Sequence, residues 1–240
     1  MLKLLIVRPY RYWDYRQNLM DFIGAIWQCL DTPRGVRVVS VVYPPKISVY
    51  PSTHRLYPYV WRSWFALREW ARTPAEWVCI ADADVTPTRR DALHTLLHNI
   101  ESAPDDTQII TPNYLAWINN SGYTRDTTLD FTYLGLCTWA SDGLLTVRGA
   151  LLPSVTRQIN AFCPDMLRDY SLIEARYSTA FARNYKIKCY PESTISVFYT
   201  WLSPNLWEWS ALPAFVHFVG DLTRARYQVH YIYDKLTQGG

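Results

Sequence analysis

Two carboxylates, Asp82 and Asp84, stand two positions apart directly after the apolar run Trp77-Val-Cys-Ile-Ala81. A buried parallel strand reads as a short continuous apolar run bounded by loop residues. Ligands of open α/β sheets bind beyond the carboxyl ends of such strands. Two acids there can hold a hard divalent cation, and that cation can hold phosphate oxygens. The pattern therefore points to a nucleotide diphosphate bound through a metal. Asp also follows strands merely as a turn and cap former, so the pair gains its meaning from its flanks. The apolar strand precedes it and a helix start is expected after it. Thr86 or Thr88 is expected as N-cap, with Pro87 at the first helical position if Thr86 caps. Leu93, Leu96, Leu97 and Ile100 then supply an apolar helical stripe.

The elements that must position this pair can be read along the chain. Leu2–Val7 reads as the first strand, Trp13–Leu30 as a helix, and Val36–Val42 as a second, β-branched strand. The Pro-rich stretch from Tyr43 to Pro58 reads as loop. Tyr59–Ala71 is a second helix and Trp77–Ala81 the third strand, an alternation that predicts a parallel, right-handed α/β unit. Further on, Gln108–Thr111 and Leu144–Val147 read as strands. Pro112–Cys137 has loop and edge-strand character. Pro153–Phe162 and Asp169–Arg183 read as helices, and Tyr185–Tyr190, Thr194–Tyr199, Phe215–Val219 and Tyr227–Tyr233 as strands. Trp201–Pro213, rich in Trp and Pro, reads as an ordered loop. No repeat or linker divides the chain, so one continuous core is expected.

Composition sets the bounds. A length of 240 residues suits one domain with a sizeable core. The net charge of +3 argues against a strongly electrostatic nucleic-acid binder. Five scattered cysteines (Cys29, Cys79, Cys137, Cys163 and Cys189) form no C-x-x-C pair, so neither a zinc site nor a disulfide framework is expected. Cys79 lies inside the apolar strand and reads as a small core residue. The apolar start is too short for a signal peptide and lacks a small-residue cleavage site. No stretch approaches the ~18 apolar residues that span a bilayer. A cytoplasmic, reduced protein is the expectation, and the sequon Asn119-Asn120-Ser121 reads as accidental.

Four segments, in order, resemble the GT-A glycosyltransferases. Trp77 to Pro87 is similar to that family's strand ending in D-x-D. Ser141-Asp142-Gly143-Leu-Leu-Thr-Val-Arg148 is similar to the strand S-G-G-x-x-x-x-R that walls the sugar site. Asp169 to Ser193 looks like the acidic helix followed by G-Y-K-I-x-x-x-P-E-S. His217-Phe-Val-Gly220 is similar to the H-F-x-G metal and pyrophosphate motif of the glycogenin-like branch. The resemblance spans most of the chain. It implies a single Rossmann-like α/β domain over residues 1–240 whose mostly parallel central sheet is flanked by helices, with 1–111 as a nucleotide-binding half and 112–240 as an acceptor-binding, metal-completing half.

The resemblance also implies roles. Asp84 would be a direct metal ligand, and Asp82 would bind the metal through water or hold the ribose. His217 would complete the sphere of Mn²⁺ or Mg²⁺; a neutral imidazole suits Mn²⁺-like ions better than Mg²⁺. Arg8, Tyr10 and Arg11, at the end of the first strand, would meet the nucleotide, with Tyr10 able to stack on a uracil-like ring. Asp142 would hold sugar hydroxyls, and Gly220 the pyrophosphate. The chain departs from the glycogenin-like pattern H-x-x-G-x-x-K-P-W, carrying Thr223 where the lysine stands. Arg224 or Arg226 could supply the missing charge. It has no E-D pair before its helix-ending position. Asp169 falls about one turn too early and Glu174 one residue too late, so either is the candidate base and the stereochemistry stays open.

The expected activity is transfer of a sugar from a nucleotide-sugar, a UDP-sugar first, to an acceptor hydroxyl on a glycan, a lipid-linked glycan, or a hydroxymethylated base in phage DNA. Asp82-Ala-Asp84-Val85-Thr86 also fits the D-x-D-x-T nucleophile motif of haloacid-dehalogenase-like phosphatases, though it lies on the third strand rather than the first. A non-catalytic glycan or nucleic-acid binding module is the alternative outside the enzymes.

Overall fold

A computed structural model describes residues 3–11, 17–42, 57–117, 136–140, 143–166, 184–201, 203–219 and 221–238. Its centre is a six-stranded sheet built from β1 (Leu4–Arg11), β2 (Val36–Val42), β3 (Trp77–Ala81), β5 (Ile109–Thr111), β8 (Leu144–Arg148) and β9 (Ile187–Cys189). Their order across the sheet is β2-β1-β3-β8-β5-β9. β1 pairs in parallel with both β2 and β3, and β5 in parallel with β9. β8 runs against both of its neighbours, β3 and β5. The sheet is therefore mostly parallel with one reversed strand.

Helices cover both faces. On one, α1 (Gln17–Gln28), α3 (Ala92–Glu101) and the C-terminal α5 (Leu222–Gln238) pack on Leu4, Ile6, Trp77 and Cys79. On the other, α2 (Tyr57–Arg72) sets Phe65 and Ala66 against Leu5, Val7, Val78 and Ile80, joined by Leu152 of α4 (Leu152–Met166). Every residue of β3 is buried, as the continuous apolar run requires. Cys79 is fully buried, and burial pushes its thiol up to about 12, which makes it inert core. A smaller sheet is made by β4 (Val85–Pro87), β10 (Ile195–Tyr199) and β11 (Phe215–Val219), in the order β10-β11-β4. β6 (Asn113–Trp117) and β7 (Leu136–Ala140) form a separate ribbon. Among the described residues no helix is long and apolar enough to cross a membrane.

Two elements correct the sequence reading. The residues after the acid pair do not start a helix. Val85–Pro87 is β4, antiparallel to β11, and α3 begins only at Ala92 after Asp91. Thr88 does not cap α3; its hydroxyl donates to the Pro213 carbonyl. Pro87 is tolerated in β4 because that strand pairs on a single side, at the edge of its sheet. The second correction is Tyr227–Tyr233, which lies within α5 rather than in a strand. Its Tyr, Val and Ile favour strands locally. However, Ala225, Val229, Ile232 and Leu236 are buried at helical spacing. Asp221 also caps the helix by accepting the Thr223 amide at 2.9 Å. The Asp169–Arg183 helix, residues 43–56 of the Pro-rich loop and residues 13–16 at the start of the first helix lie outside the described residues.

Where β8 ends, Gly149 admits no side chain. Its amide donates to the Glu76 carbonyl at 2.7 Å, and a Cβ there would meet the Ala75 carbonyl oxygen and stand 2.5 Å from Trp70 Nε1. The Trp70 indole cannot simply swing away, because it donates to that same carbonyl at 3.0 Å. Gly149→Ala is expected to destabilise the fold by about 1–3 kcal/mol. Urea unfolding reads the loss, and an unchanged midpoint would contradict this close approach.

Candidate functional site

β3 delivers Asp82 and Asp84 to the carboxyl end of the central sheet. Asp82 is the first residue past the strand; its amide donates to the Gly143 carbonyl at 2.9 Å, and its carbonyl accepts the Val85 amide at 3.3 Å. That tight turn brings the chain straight into β4, where Val85 lies opposite His217 of β11. The Val85 carbonyl is held from below by the Trp27 indole of α1 at 3.0 Å. The acid pair is thus fixed between two sheets rather than on a free loop.

Three ligand-bearing side chains converge there. His217 Nε2 lies 3.2 Å from Asp84 Oδ1 and 3.8 Å from Asp82 Oδ2. One donor atom from each of Asp82, Asp84 and His217 falls within 4.8 Å of the others. The other edge of the imidazole faces Gly143, where a Cβ would stand only 2.7 Å from Nδ1. A residue without a side chain at 143 is what lets the ring turn Nε2 to the carboxylates. Two carboxylate oxygens and an imidazole nitrogen form a mixed O/N set, open on one side because Asp84 keeps 26 % of its side chain exposed. Such a set fits Mn²⁺-like ions.

One charged partner escaped the sequence reading. Arg62 of α2, 4 % exposed, forms an ion pair with Asp82. Its signal was present in the sequence. Arg62, Phe65, Ala66 and Glu69 fall on one helical stripe, so a charge occupies a core position, and buried charges demand partners. Glu69, at the far end of that stripe, is held by Arg68 at 2.9 Å and Arg72 at 3.1 Å.

Arg8 is the second buried cation. It is 1 % exposed, and its guanidinium lies 5.1 Å from the centre of the Trp27 ring. The register that sets Val7 beside Ile80 puts Arg8 level with Ala81, next to Asp82. Its Nε and Nη2 have no hydrogen-bond partner among the described residues. Burial lowers its pKa to about 10, which still leaves it charged at neutral pH. Tyr10 and Arg11 lie on β1, which ends at Arg11.

Arg224 is engaged inside the protein. It donates to the carbonyls of Thr200 and Ser203 and sits over the Phe198 ring at 5.5 Å. Asp142, Asp169, Glu174 and Gly220 lie outside the described residues.

No protein-family description matches the chain, and no curated protein matches it. Solved structures do. A glycosyltransferase involved in glycosylation of the major capsid of the virus PBCV-1 superposes with a TM-score of 0.57 at 12 % identity, covering 96 % of this chain and 98 % of its own. The galactosyltransferase LgtC, bound to donor and acceptor sugar analogues, gives a TM-score of 0.49 at 11 % identity over 98 % of this chain and 96 % of its own. Mouse xyloside xylosyltransferase 1 gives 0.48 at 8 % identity over 93 % and 98 %. The first likeness carries the assignment of the fold, which is of the GT-A type.

Gly143→Ala is expected to displace the His217 imidazole while leaving the protein folded, since a side chain gives way more easily than backbone. Side-chain NMR of His217 beside a thermal melt reads both effects. An imidazole signal unmoved in a folded variant would show that Gly143 does not set the ring.

Proposed function

We propose that this chain is a metal-dependent glycosyltransferase. It transfers a sugar from a nucleotide-sugar, UDP-sugars being the first donors to test, to a hydroxyl of a glycan or lipid-linked glycan. The observation that carries the reading is the meeting of Asp82, Asp84 and His217 at the carboxyl end of β3, in a chain with a GT-A-type fold.

Asp84 and His217 would hold Mn²⁺ or Mg²⁺ directly, and Asp82 directly or through water. When bound, the cation supplies positive charge to a diphosphate that becomes more negative as it leaves. The chain's own cations act around it. Arg62 pairs with Asp82 and orients it, which relieves the repulsion between two acids standing side by side. Arg8 offers a charged guanidinium, under-bonded among the described residues, beneath the acid loop, suited to an anionic or carbonyl group of the nucleotide. Tyr10 and Arg11 continue the strand that would flank the base. Asp142 is the residue for the sugar hydroxyls and Gly220 for close approach of the pyrophosphate. Arg224 serves that end through the turn it holds.

In the transfer, the bond from the anomeric carbon to the diphosphate oxygen breaks and a bond to the acceptor oxygen forms. In an inverting enzyme the acceptor proton passes to a carboxylate on the opposite face, Asp169 or Glu174.

Asp84→Ala is expected to keep the fold and to lower transfer by at least about 10²-fold, the scale of losing a charge-stabilising group. Excess chelator should act likewise on the native enzyme, with Mn²⁺ restoring activity. His217→Ala should weaken the Mn²⁺-dependent thermal stabilisation by UDP. Full transfer by Asp84→Ala, or phosphate release from a phosphomonoester through an aspartyl phosphate, would overturn the reading.

A further inference from the structure

Beyond the carboxyl end of β10 the chain builds a rigid aromatic surface. Among the described residues, three of the four most exposed large apolar side chains lie on it: Trp201 at 53 %, Trp207 at 51 % and Tyr227 at 67 %. The scaffold beneath is heavily hydrogen-bonded. Arg224 ties down the carbonyls on both sides of Trp201, at Thr200 and Ser203. The buried Gln228 accepts the Leu206 amide at 2.8 Å and donates to Asn205 at 3.0 Å. Trp207 meets the Tyr231 ring edge-on, with centroids 5.7 Å apart. Tyr227 stands one helical turn before Tyr231 on the same face of α5. Trp207, Tyr231 and Tyr227 thus continue one another across loop and helix, Trp201 lies on the turn that Arg224 fastens to the same helix, and exposed apolar surface of this kind marks binding.

The charges on this surface choose the ligand. With Arg224 engaged by the carbonyls beneath, the exposed cations Arg226 and Lys235 face Glu208, Asp221 and Asp234 on the same loop and helix. A nucleic acid or an anionic membrane needs an excess of cations, and the described residues of this surface supply no excess. Flat rings with balanced charge suit an uncharged ligand with apolar faces and hydroxyl edges, which describes a pyranose chain.

Position links the surface to the acid cluster. Val197 of β10 lies beside His217, and β10 runs from there directly into Thr200 and Trp201. The Asp221 amide donates to Thr200 Oγ1 at 2.6 Å, pinning the turn to the end of β11. From His217 to Val219, where β11 ends, is about 7 Å of extended chain at ~3.3 Å per residue, within the reach of a short oligosaccharide.

We infer that Trp201, Trp207 and Tyr227 form a docking surface for a neutral oligosaccharide, the distal part of the acceptor. This rests on the transferase reading above, which supplies the reacting end. The test uses the full chain with maltohexaose, cellohexaose and N-acetylchitohexaose as probes. Oligothymidylate and phosphatidylcholine–phosphatidylglycerol vesicles represent the anionic alternatives. Calorimetry is expected to find binding of at least one neutral hexasaccharide and of neither anionic probe. Trp207→Ala and Tyr227→Ala should each weaken that binding about tenfold, the scale of losing one stacked ring, with melting temperature and Mn²⁺–UDP binding unchanged. No binding of any of the three sugars, undiminished binding in both variants, or binding of vesicles or oligothymidylate instead would overturn it. The two proposals fail separately. Sugar binding without turnover of any nucleotide-sugar sinks the transferase, and turnover with no sugar bound on this surface sinks the docking site.

Discussion

Two negative charges confined at the end of a buried strand set the terms for the rest of this structure. Asp82 and Asp84 leave β3 half-buried, with 18 % and 26 % of their side chains exposed. Like charges held so close repel each other unless a charge of opposite sign stands beside them. Arg62 brings that charge to Asp82 from α2, and the His217 imidazole approaches both acids from β11. Each partner imposes its own demand. Arg62 must sit in the buried stripe of a helix otherwise packed on the sheet. His217 must come from a strand that pairs with the residue immediately after the acids, which is why three residues there form β4. Gly143 must lack a side chain because a Cβ there would stand 2.7 Å from His217 Nδ1. The small sheet, the α2 register and Gly143 are thus fitted to one electrostatic problem.

Arg8 shows the same problem from beneath. A guanidinium at 1 % exposure, two of whose nitrogens find no hydrogen-bond partner among the described residues, is expensive, and the Trp27 face compensates only part of that cost. Burial lowers its pKa yet leaves it protonated at neutral pH, so the ligand-free protein carries a standing positive charge below the acid loop. An anionic or strongly accepting group beside it would relieve that mismatch.

The sequence carried the central strands clearly because each signal was local. Val36–Val42, Trp77–Ala81 and Phe215–Val219 coincide with β2, β3 and β11, since β-branched or continuous apolar runs have few other places to go. What it concealed depended on partners far along the chain. Val85-Thr-Pro87 looks like a helix start until β11, more than a hundred residues later, offers it a pairing edge. Tyr227–Tyr233 looks like a strand until the apolar surface it must cover favours a period of 3.6. Asp82, Asp84 and His217 were legible as a set through the order of motifs rather than through distance, whereas Arg62 was hidden because an arginine in an aromatic helix usually faces water.

The reversed strand also governs how the chain can be made. β8 lies between β3 and β5, so the sheet stays split until residues 144–148 have left the ribosome. Until then β3 presents an open, wholly apolar edge, the kind of surface that recruits other chains. β1, β2 and β3 can assemble early from neighbouring stretches, but β5 and β9 must wait for a partner that arrives after them or from far away. Slow closure of such non-local pairings is expected. The step most exposed to aggregation during synthesis is therefore the insertion of five residues that contribute no side chain to the acid cluster.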